Sequence, residues 1–572
     1  MNGMRLLYQS LLIAALLFAG TAAHAQHILN KVVGISVNRQ PLAGVLEEIG
    51  RKGQFYFSYN SDIINAGTPV TLTARKTVRE LLDQLLGSGY EYRESGNYLI
   101  LQRSREKFFM LTGCVSDKTT GRTISNASVY ESNQLVSTLT NDQGYFRLRL
   151  RDKSPQVTLA VSKEFYTDTI LLLHAGNDQD LSIAISPVPQ NELAPVVVTR
   201  FVQVERTRFG KFFLSSRQKI QSLNLKHFFA SKPFQFSLTP GLSSRSNLGA
   251  QVVNKLSFNI LGGYTAGVNG LELAGIFNID KKNVQYVQIA GVFNVVGGKV
   301  TGVQLAGIHN HVLDTLKGVQ ASGYSNLVKK SLQGVQLAGG YNLVSGNMEG
   351  VQAAGSVNIV KYNVQGVQLG AVGNIARHEV KGVQAGSIFN YAGLLKGVQV
   401  GLINIADSSS GYSIGLVNIV RKGYHKLVVS TNEVLNVNLA YKSGNRKLYS
   451  ILSAGVNISA TQKAFSVGYG IGREFRLSAA TALTTELTQH TLYLGDWKHI
   501  RTLYRIEPAF HYRLSKKISI FTGPVFSMCY PGKEEISVKN YKSILPAAGY
   551  HQFNIGRNLS GWIGWHAGIS FF

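Results

Sequence analysis

GVQLAGIHN at residues 302–310, GVQASGYSN at 318–326, GVQLAGGYN at 334–342 and GVQAAGSVN at 350–358 are four copies of one unit. Earlier copies begin at Gly270 (GLELAGIFN) and Tyr286 (YVQIAGVFN), and later ones at Gly366 (GVQLGAVGN) and Gly382 (GVQAGSIFN). The starts are sixteen residues apart through Gly382, then fifteen to Gly397 and fourteen to Gly411. A fixed period means that each unit is one structural step of constant length. Val303, Leu305 and Gly307 alternate with Gln304, Ala306 and Ile308, a period of two with few strong helix formers, so the units are β. Variable triplets such as Lys329-Lys330-Ser331 and Ser345-Gly346-Asn347 separate them. One strand per unit gives an antiparallel sheet that can close into a barrel. One coil per unit gives a β-solenoid with amides stacked in ladders.

The segment after the repeats favours the barrel. Leu435, Val437, Leu439 and Tyr441 alternate with small or polar residues, as do Phe465, Val467, Tyr469 and Ile471. An apolar face opposite a small or polar one is the pattern of outer-membrane strands, which need roughly nine to eleven residues to cross. The chain ends in GWIGWHAGISFF, with Ile563, Trp565, Ala567, Ile569 and Phe571 on one face and Phe572 last. A soluble solenoid would want a polar cap there. The fold expected is therefore mainly β, with residues 235–572 forming one transmembrane β-barrel whose middle strands are the repeats (270–420). A β-solenoid for the repeats is the alternative.

On the barrel reading, Gln304, Gln320, Gln336, Gln352, Gln368, Gln384 and Gln399 line one face, with Asn310, Asn326, Asn342, Asn358, Asn374, Asn390 and Asn404 beside them. An unpaired amide is costly in hydrocarbon, so this face should point to the lumen. Amide ladders that only fix register are the other reading.

Residues 1–25 read as a secretory signal peptide: Arg5, a short apolar core from Leu11 to Phe18, and Ala23-His24-Ala25 as a cleavage site. Lys plus Arg is 58 against 31 Asp plus Glu, a net charge of +27. Without a nucleic-acid motif in an exported chain, that excess suits an anionic membrane surface or an acidic partner rather than nucleic acid. Cys114 and Cys529 are the only cysteines and fall in different expected domains, so a disulfide framework is not expected.

Residues 26–104 alternate strands and helices, with a capping box at Thr77 and Glu80 and a hairpin around Ser95-Gly96-Asn97. ISVNRQPLAGVLEEIGRKGQFYFSY and VTLTARKTVRELLDQLLGSGYEYRESGNYLIL resemble the short N-terminal domain of secretins and TonB receptors. That resemblance implies a small periplasmic α/β domain that docks a protein partner, such as a membrane-bound regulator. Residues 108–188 carry short strands and Asp- or Gly-centred turns. LTGCVSDKTTGRTISNASVYESNQLVSTLTNDQGYFRLRL resembles the carboxypeptidase-regulatory-like β-sandwich, a module that usually serves as a spacer. Residues 189–234 form a basic stretch, expected to be a solvated linker, with Arg206, Arg208, Lys211, Arg217, Lys219 and Lys226. Within it LAPVVVTR (193–200) resembles the segment before the plug of TonB-dependent receptors, but no plug pattern follows.

The last strand resembles the terminal-aromatic signal read by the barrel-insertion machinery, which implies roles for Trp565, Ile569, Phe571 and Phe572. The whole order resembles Bacteroidetes-type outer-membrane proteins with these two N-terminal domains and GVQ-type surface repeats. It implies a chain in the outer membrane with its N-terminal domains in the periplasm. Envelope signalling or solute passage is the expected function, and a structural or adhesive repeat protein the alternative. No HExxH, phosphate-binding loop or nucleophile elbow is present, so neither an enzyme nor a cofactor is expected. His309 and His311 flank Asn310 in one copy only, and Glu474, Glu486 and Glu507 stand alone in their strand patterns.

Overall fold

A computed structural model describes residues 28–87, 89–103, 107–188, 203–497, 500–531, 538–543, 545, 549–555 and 558–572. The signal segment 1–25, LAPVVVTR and Arg200 lie outside the described residues. The chain divides into two compact units, one of residues 1–195 and 216–228, the other of 196–215 and 229–572.

In the first unit the expected alternation is present. Val32–Pro41 pairs antiparallel with Pro69–Thr77, and Tyr56–Ser58, Tyr98–Arg103 and Tyr90–Ser95 form a second small sheet. Helix Leu42–Gly53 buries Val45, Leu46 and Ile49 at helical spacing. Helix Val78–Leu86 starts at the Thr77–Glu80 capping box and buries Val78, Leu81 and Leu82 on the same core. The next segment holds a three-stranded and a four-stranded sheet around one apolar core that includes Phe109, Leu111, Val129, Phe146, Leu159 and Ile183. Helix Ser216–Asn224 joins this unit: Asn224 Nδ2 donates to the Asn126 carbonyl (2.8 Å) and Gln221 Nε2 to Ser137 Oγ.

In the second unit the repeats are coils of a parallel stack, not strands of a barrel. Each sixteen-residue copy makes two strands, such as Val300–Ala306 and His309–Val312, with a corner at Gly307-Ile308. Each strand pairs in parallel with its equivalent one repeat on, so Gln304 lies beside Gln288 and Gln320, and Asn310 beside Asn294 and Asn326. The stack runs from Ala230–Thr239 to Val417–Val420, so it starts before residue 235 and ends near 420. The physical reason is length. A seven-residue strand is shorter than a membrane crossing needs, and the glycine corner sends the chain back to its starting edge.

Gly302, Gly318, Gly334, Gly350, Gly366 and Gly382 share a φ between 124° and 137°, where a side chain is strained. They also stack on one another: a Cβ on Gly334 would lie 2.0 Å from the carbonyl oxygen of Gly318. The basic stretch is not a solvated linker over its described part either. Helix Arg208–Phe213, capped by the Thr207 hydroxyl, lays Phe209 and Phe213 on Phe277 and Phe293.

After the stack, eight long strands from Tyr424–Asn432 to Ser560–Phe571 form an antiparallel sheet. It closes because the first pairs with the last, Leu427 opposite Phe571 and Asn432 opposite His566. The barrel thus occupies 424–571 rather than 235–572.

Substituting Gly334→Ala is expected to destabilise the coils around it by about 1–3 kcal/mol, the usual cost of forced backbone strain. Hydrogen exchange should register faster exchange in coils 318–360, while barrel amides keep their protection.

Candidate functional site

Inside each coil the amides form two ladders. Gln304, Gln320, Gln336, Gln352, Gln368, Gln384 and Gln399 each donate from Nε2 to the Oε1 of the glutamine in the preceding coil, at 2.6–2.9 Å. Asn310, Asn326, Asn342, Asn358, Asn374, Asn390 and Asn404 each donate from Nδ2 to the Oδ1 of the asparagine in the following coil, at 2.8–3.0 Å. The second Nδ2 hydrogen goes to a backbone carbonyl of that next coil, as from Asn310 to Ala321 (2.8 Å). All fourteen side chains are buried, so they line no lumen. Their neighbours inside the coil, Val300, Val312, Leu316, Val328, Leu332 and Val344, form a separate apolar column nearer the variable triplets.

The glutamine ladder ends on acids. Gln288 Nε2 donates to Glu272 Oε2 (2.8 Å) and Asp280 Oδ2 (2.5 Å), while Thr265 donates to Asp280 and Asn259 to Glu272. Burial raises the pKa of both carboxyls, and the negative charge of Glu272 adds to the rise at Asp280. A carboxyl whose folded pKa is raised stabilises the fold fully below the ordinary carboxylate range. That stability is lost as pH rises through the folded value. Glu272→Gln continues the amide ladder and removes one ionisable group. Its melting midpoint should exceed wild type by about 2 °C or more near neutral pH, with the gap narrowing towards pH 4.

In the barrel the expected inward and outward faces are present from Val437 on, with ion pairs inside. Leu435, expected on the outer face, precedes the strand and is buried in one apolar cluster with Val434 and Trp562. Arg505 Nη2 sits 3.2 Å from Glu433 Oε2, and Glu433 Oε1 also accepts from Trp562 Nε1 (3.1 Å) and Ser527 Oγ (3.2 Å). Glu507 meets His566 Nδ1 at 3.1 Å and accepts from Thr488 Oγ1 at 2.6 Å. Glu486 pairs with Lys442 and accepts from the Tyr449 hydroxyl (2.6 Å), and Glu474 pairs with Lys426 (2.8 Å). Glu474, Glu486 and Glu507, isolated in sequence, thus meet Lys426, Lys442 and His566 from other strands. The outer wall carries exposed Val467, Leu487, Ile506, Phe510, Ile520 and Ile563.

At the barrel end with the short turns Asn445–Leu448, Arg476–Thr481 and Arg513–Ile518, a cavity of about 640 Å³ opens. Lys422, Lys426, Arg446, Lys447, Arg476, Arg513, Lys516 and Lys517 line it, and Glu474 is the one acidic side chain among the described lining residues. Such a mouth attracts an anionic group. The sequence signal for it was the recurrence of Lys and Arg in the hairpin turns, legible only once those turns share an end.

The terminal strand seals the barrel. Trp565 and Ile569 face outward, 44% and 42% exposed, and Trp565 Nε1 donates to the Tyr550 hydroxyl (3.0 Å). Phe571 pairs with Leu427 and Ile518, and the Phe572 N–H donates to the Lys517 carbonyl (2.8 Å). His309 Nδ1 lies 2.7 Å from Ser325 Oγ, and among the described residues no group of His, Cys, Asp or Glu could hold a metal. Cys114 and Cys529 are both free thiols. No family model, curated protein or solved structure matches the chain.

Glu433→Ala takes from Arg505 the nearer of two buried carboxylates, with Glu507 remaining at 3.7 Å, a change expected to cost about 3 kcal/mol, the lower end for a broken buried pair. The variant should lose its folded, fast-migrating form on an unboiled gel at a clearly lower pre-incubation temperature than wild type. Replacing Glu433 and Arg505 together by Met should recover much of that loss.

Proposed function

We propose that the chain is an outer-membrane protein whose C-terminal barrel anchors a protein-docking N-terminal region in the envelope. The observation that carries this reading is the inversion of the barrel: aliphatic and aromatic side chains face out, and ion pairs and hydroxyls face in. A barrel in water needs the opposite arrangement, whereas in lipid an apolar belt outside polar contents is the stable one.

The packed interior favours anchoring over solute passage. An eight-stranded barrel is just wide enough for its own side chains to fill, and here Tyr449, Trp562, Arg505 and His566 are buried inside it. The short-turn end, where the chain enters at Tyr424 and finishes at Phe572, is the periplasmic end on this reading. The basic mouth then faces the periplasm and holds an anionic group of a ligand or partner there. The N-terminal segments act as the short N-terminal and regulatory-like domains they resemble, the first docking a periplasmic regulator and the second serving as spacer. Insertion proceeds through the barrel-insertion machinery, with Trp565, Ile569, Phe571 and Phe572 as its signal.

Membrane fractionation followed by electrophoresis with and without boiling tests the anchor. The expected result is an outer-membrane protein that migrates faster unboiled and gives no steady conductance in planar bilayers. Recovery in the soluble fraction with no boiling-dependent shift would sink the reading. Leu487→Lys, on the outer wall at mid-strand, should cost about 2–4 kcal/mol of membrane stability and reduce the yield of inserted protein.

A further inference from the structure

The coil stack has an inside-out half. Every Asp, Glu, Lys and Arg between Val284 and Val420 lies on one edge of the stack, at the variable triplet or at the residue just before the first glycine of the next copy. Lys317, Lys330, Glu349 and Lys381 are examples. Inside that edge the coil is filled by Val and Leu, the ordinary arrangement for a surface in water. At the opposite edge the relation reverses. The interior there is Gln and Asn, while the exterior is apolar: Ile308, Leu337, Leu369, Ile388, Leu402 and Leu416 are each 41–51% exposed. A groove of about 1090 Å³ runs beside them over eight coils, walled by Leu, Ala and Gly. Apolar side chains exposed singly and scattered are ordinary on a monomer, whereas here six coils each add one to the same edge.

The last coils fix how this edge stands against the barrel. Asn445 Nδ2, in the short turn at the barrel rim, donates to Ser409 Oγ (3.0 Å) and the Gly411 carbonyl (2.6 Å), and Lys447 Nζ donates to the Ser410 carbonyl (3.1 Å). The charged edge is thus level with the rim. The glycine edge reaches the outer wall: the Tyr469 hydroxyl donates to the Gly415 carbonyl (2.6 Å). Tyr469 lies seven residues from Arg476, where its strand ends at that rim. Seven steps of about 3.3 Å in a strand tilted by about 40° descend roughly 18 Å, close to half of a ~30 Å hydrocarbon core.

We propose that the coil stack lies sideways in the membrane leaflet next to the short-turn rim, glycine edge down among the acyl chains and charged edge at the headgroups. The proposal rests on the membrane-spanning reading of the barrel. The apolar part of each long strand, from Val303 to Gly307 in one coil, is about 13 Å deep, which fits one leaflet's share of about 15 Å. The coils enter the bilayer without crossing it. The backbone is suited to that, because strand N–H and C=O groups bond to the neighbouring coils and leave no row facing lipid. The amides at the deep edge are already paired with those of neighbouring coils, so hydrocarbon costs them nothing further. The occupant is therefore acyl chain, with anionic or zwitterionic headgroups above it.

The test is spin-label accessibility in the full-length protein, with Cys114→Ser and Cys529→Ala removing the native thiols. The protein is reconstituted in phosphatidylethanolamine–phosphatidylglycerol vesicles. Labels go singly at Ile388→Cys (glycine edge), Lys330→Cys (charged edge) and Ile506→Cys (barrel wall). Oxygen accessibility with exclusion of a water-soluble nickel chelate is expected at 388 and 506, and the reverse at 330. A lipid signal at 506 with nickel access at 388 overturns the proposal and leaves the barrel standing. Nickel access at 506 as well removes the barrel reading and this proposal with it. Exclusion of both probes at 388 means that protein, not lipid, covers the edge, and also overturns it. Should a variant fail to give the fast-migrating folded form, wild-type protein in the same vesicles with a diazirine acyl-chain lipid gives an independent answer. Cross-links are expected on the glycine edge and none on the variable triplets, and the converse pattern overturns the proposal.

Discussion

Burying a carboxamide is costly unless its polar atoms find partners, and the repeated coils are organised by that demand. Each glutamine and asparagine takes a partner in a neighbouring coil, so a shift of one residue would break two ladders at once. The sixteen-residue spacing is the visible result. It shortens twice near the end, and both times the missing residue comes from a corner. The first loss is between Ala392 and Leu394 at the variable edge, opposite Ala376–Glu379, and the second at the Gly401-Leu402 corner. Gln384 still meets Gln399, and Asn390 still meets Asn404.

Much of this fold was legible because it is local. The Thr77–Glu80 box, the hairpins and the alternating faces of the last strands depend on residues near one another in the chain. The repeat was legible as β and as periodic, but its architecture turned on the glycine that ends a seven-residue strand. One residue type in a corner separates a coil from a hairpin. The later strands, truly amphipathic, then lent their barrel to the earlier ones. The charge network in the barrel was not legible, because Lys426, Lys442 and His566 lie on different strands from the carboxylates they meet, and Arg505 meets Glu433 from 72 residues along the chain. Helix Arg208–Phe213 was masked by its basic composition, although Thr207 and the spacing of Phe209 and Phe213 carry the signal of a capped, one-sided helix.

The two parts of the second unit solve one problem in two ways. The barrel and the glycine half of the coil stack both keep polar groups inside and apolar groups outside, against the usual order of a water-soluble core. In the barrel the polar contents are ions, and each depends on a partner across the lumen. In the coils they are neutral amides, and each depends on a partner along the axis. The first arrangement has a fixed size, set by closure at eight strands. The second has no intrinsic end.

That open-endedness has an electrostatic condition, and the direction of the ladders meets it. Glutamines donate towards the start of the chain and asparagines towards its end. Two rows of amide dipoles therefore run side by side in opposite senses, and their fields cancel coil by coil instead of summing as they do along a helix. The first glutamine donor faces outward, and there Glu272 and Asp280 receive it, while the last asparagine donor, Asn418 Nδ2, turns to the Gly415 carbonyl. Adding or deleting a whole repeat leaves the charge at both ends unchanged. The stack can vary in length over generations without asking its end residues to adapt.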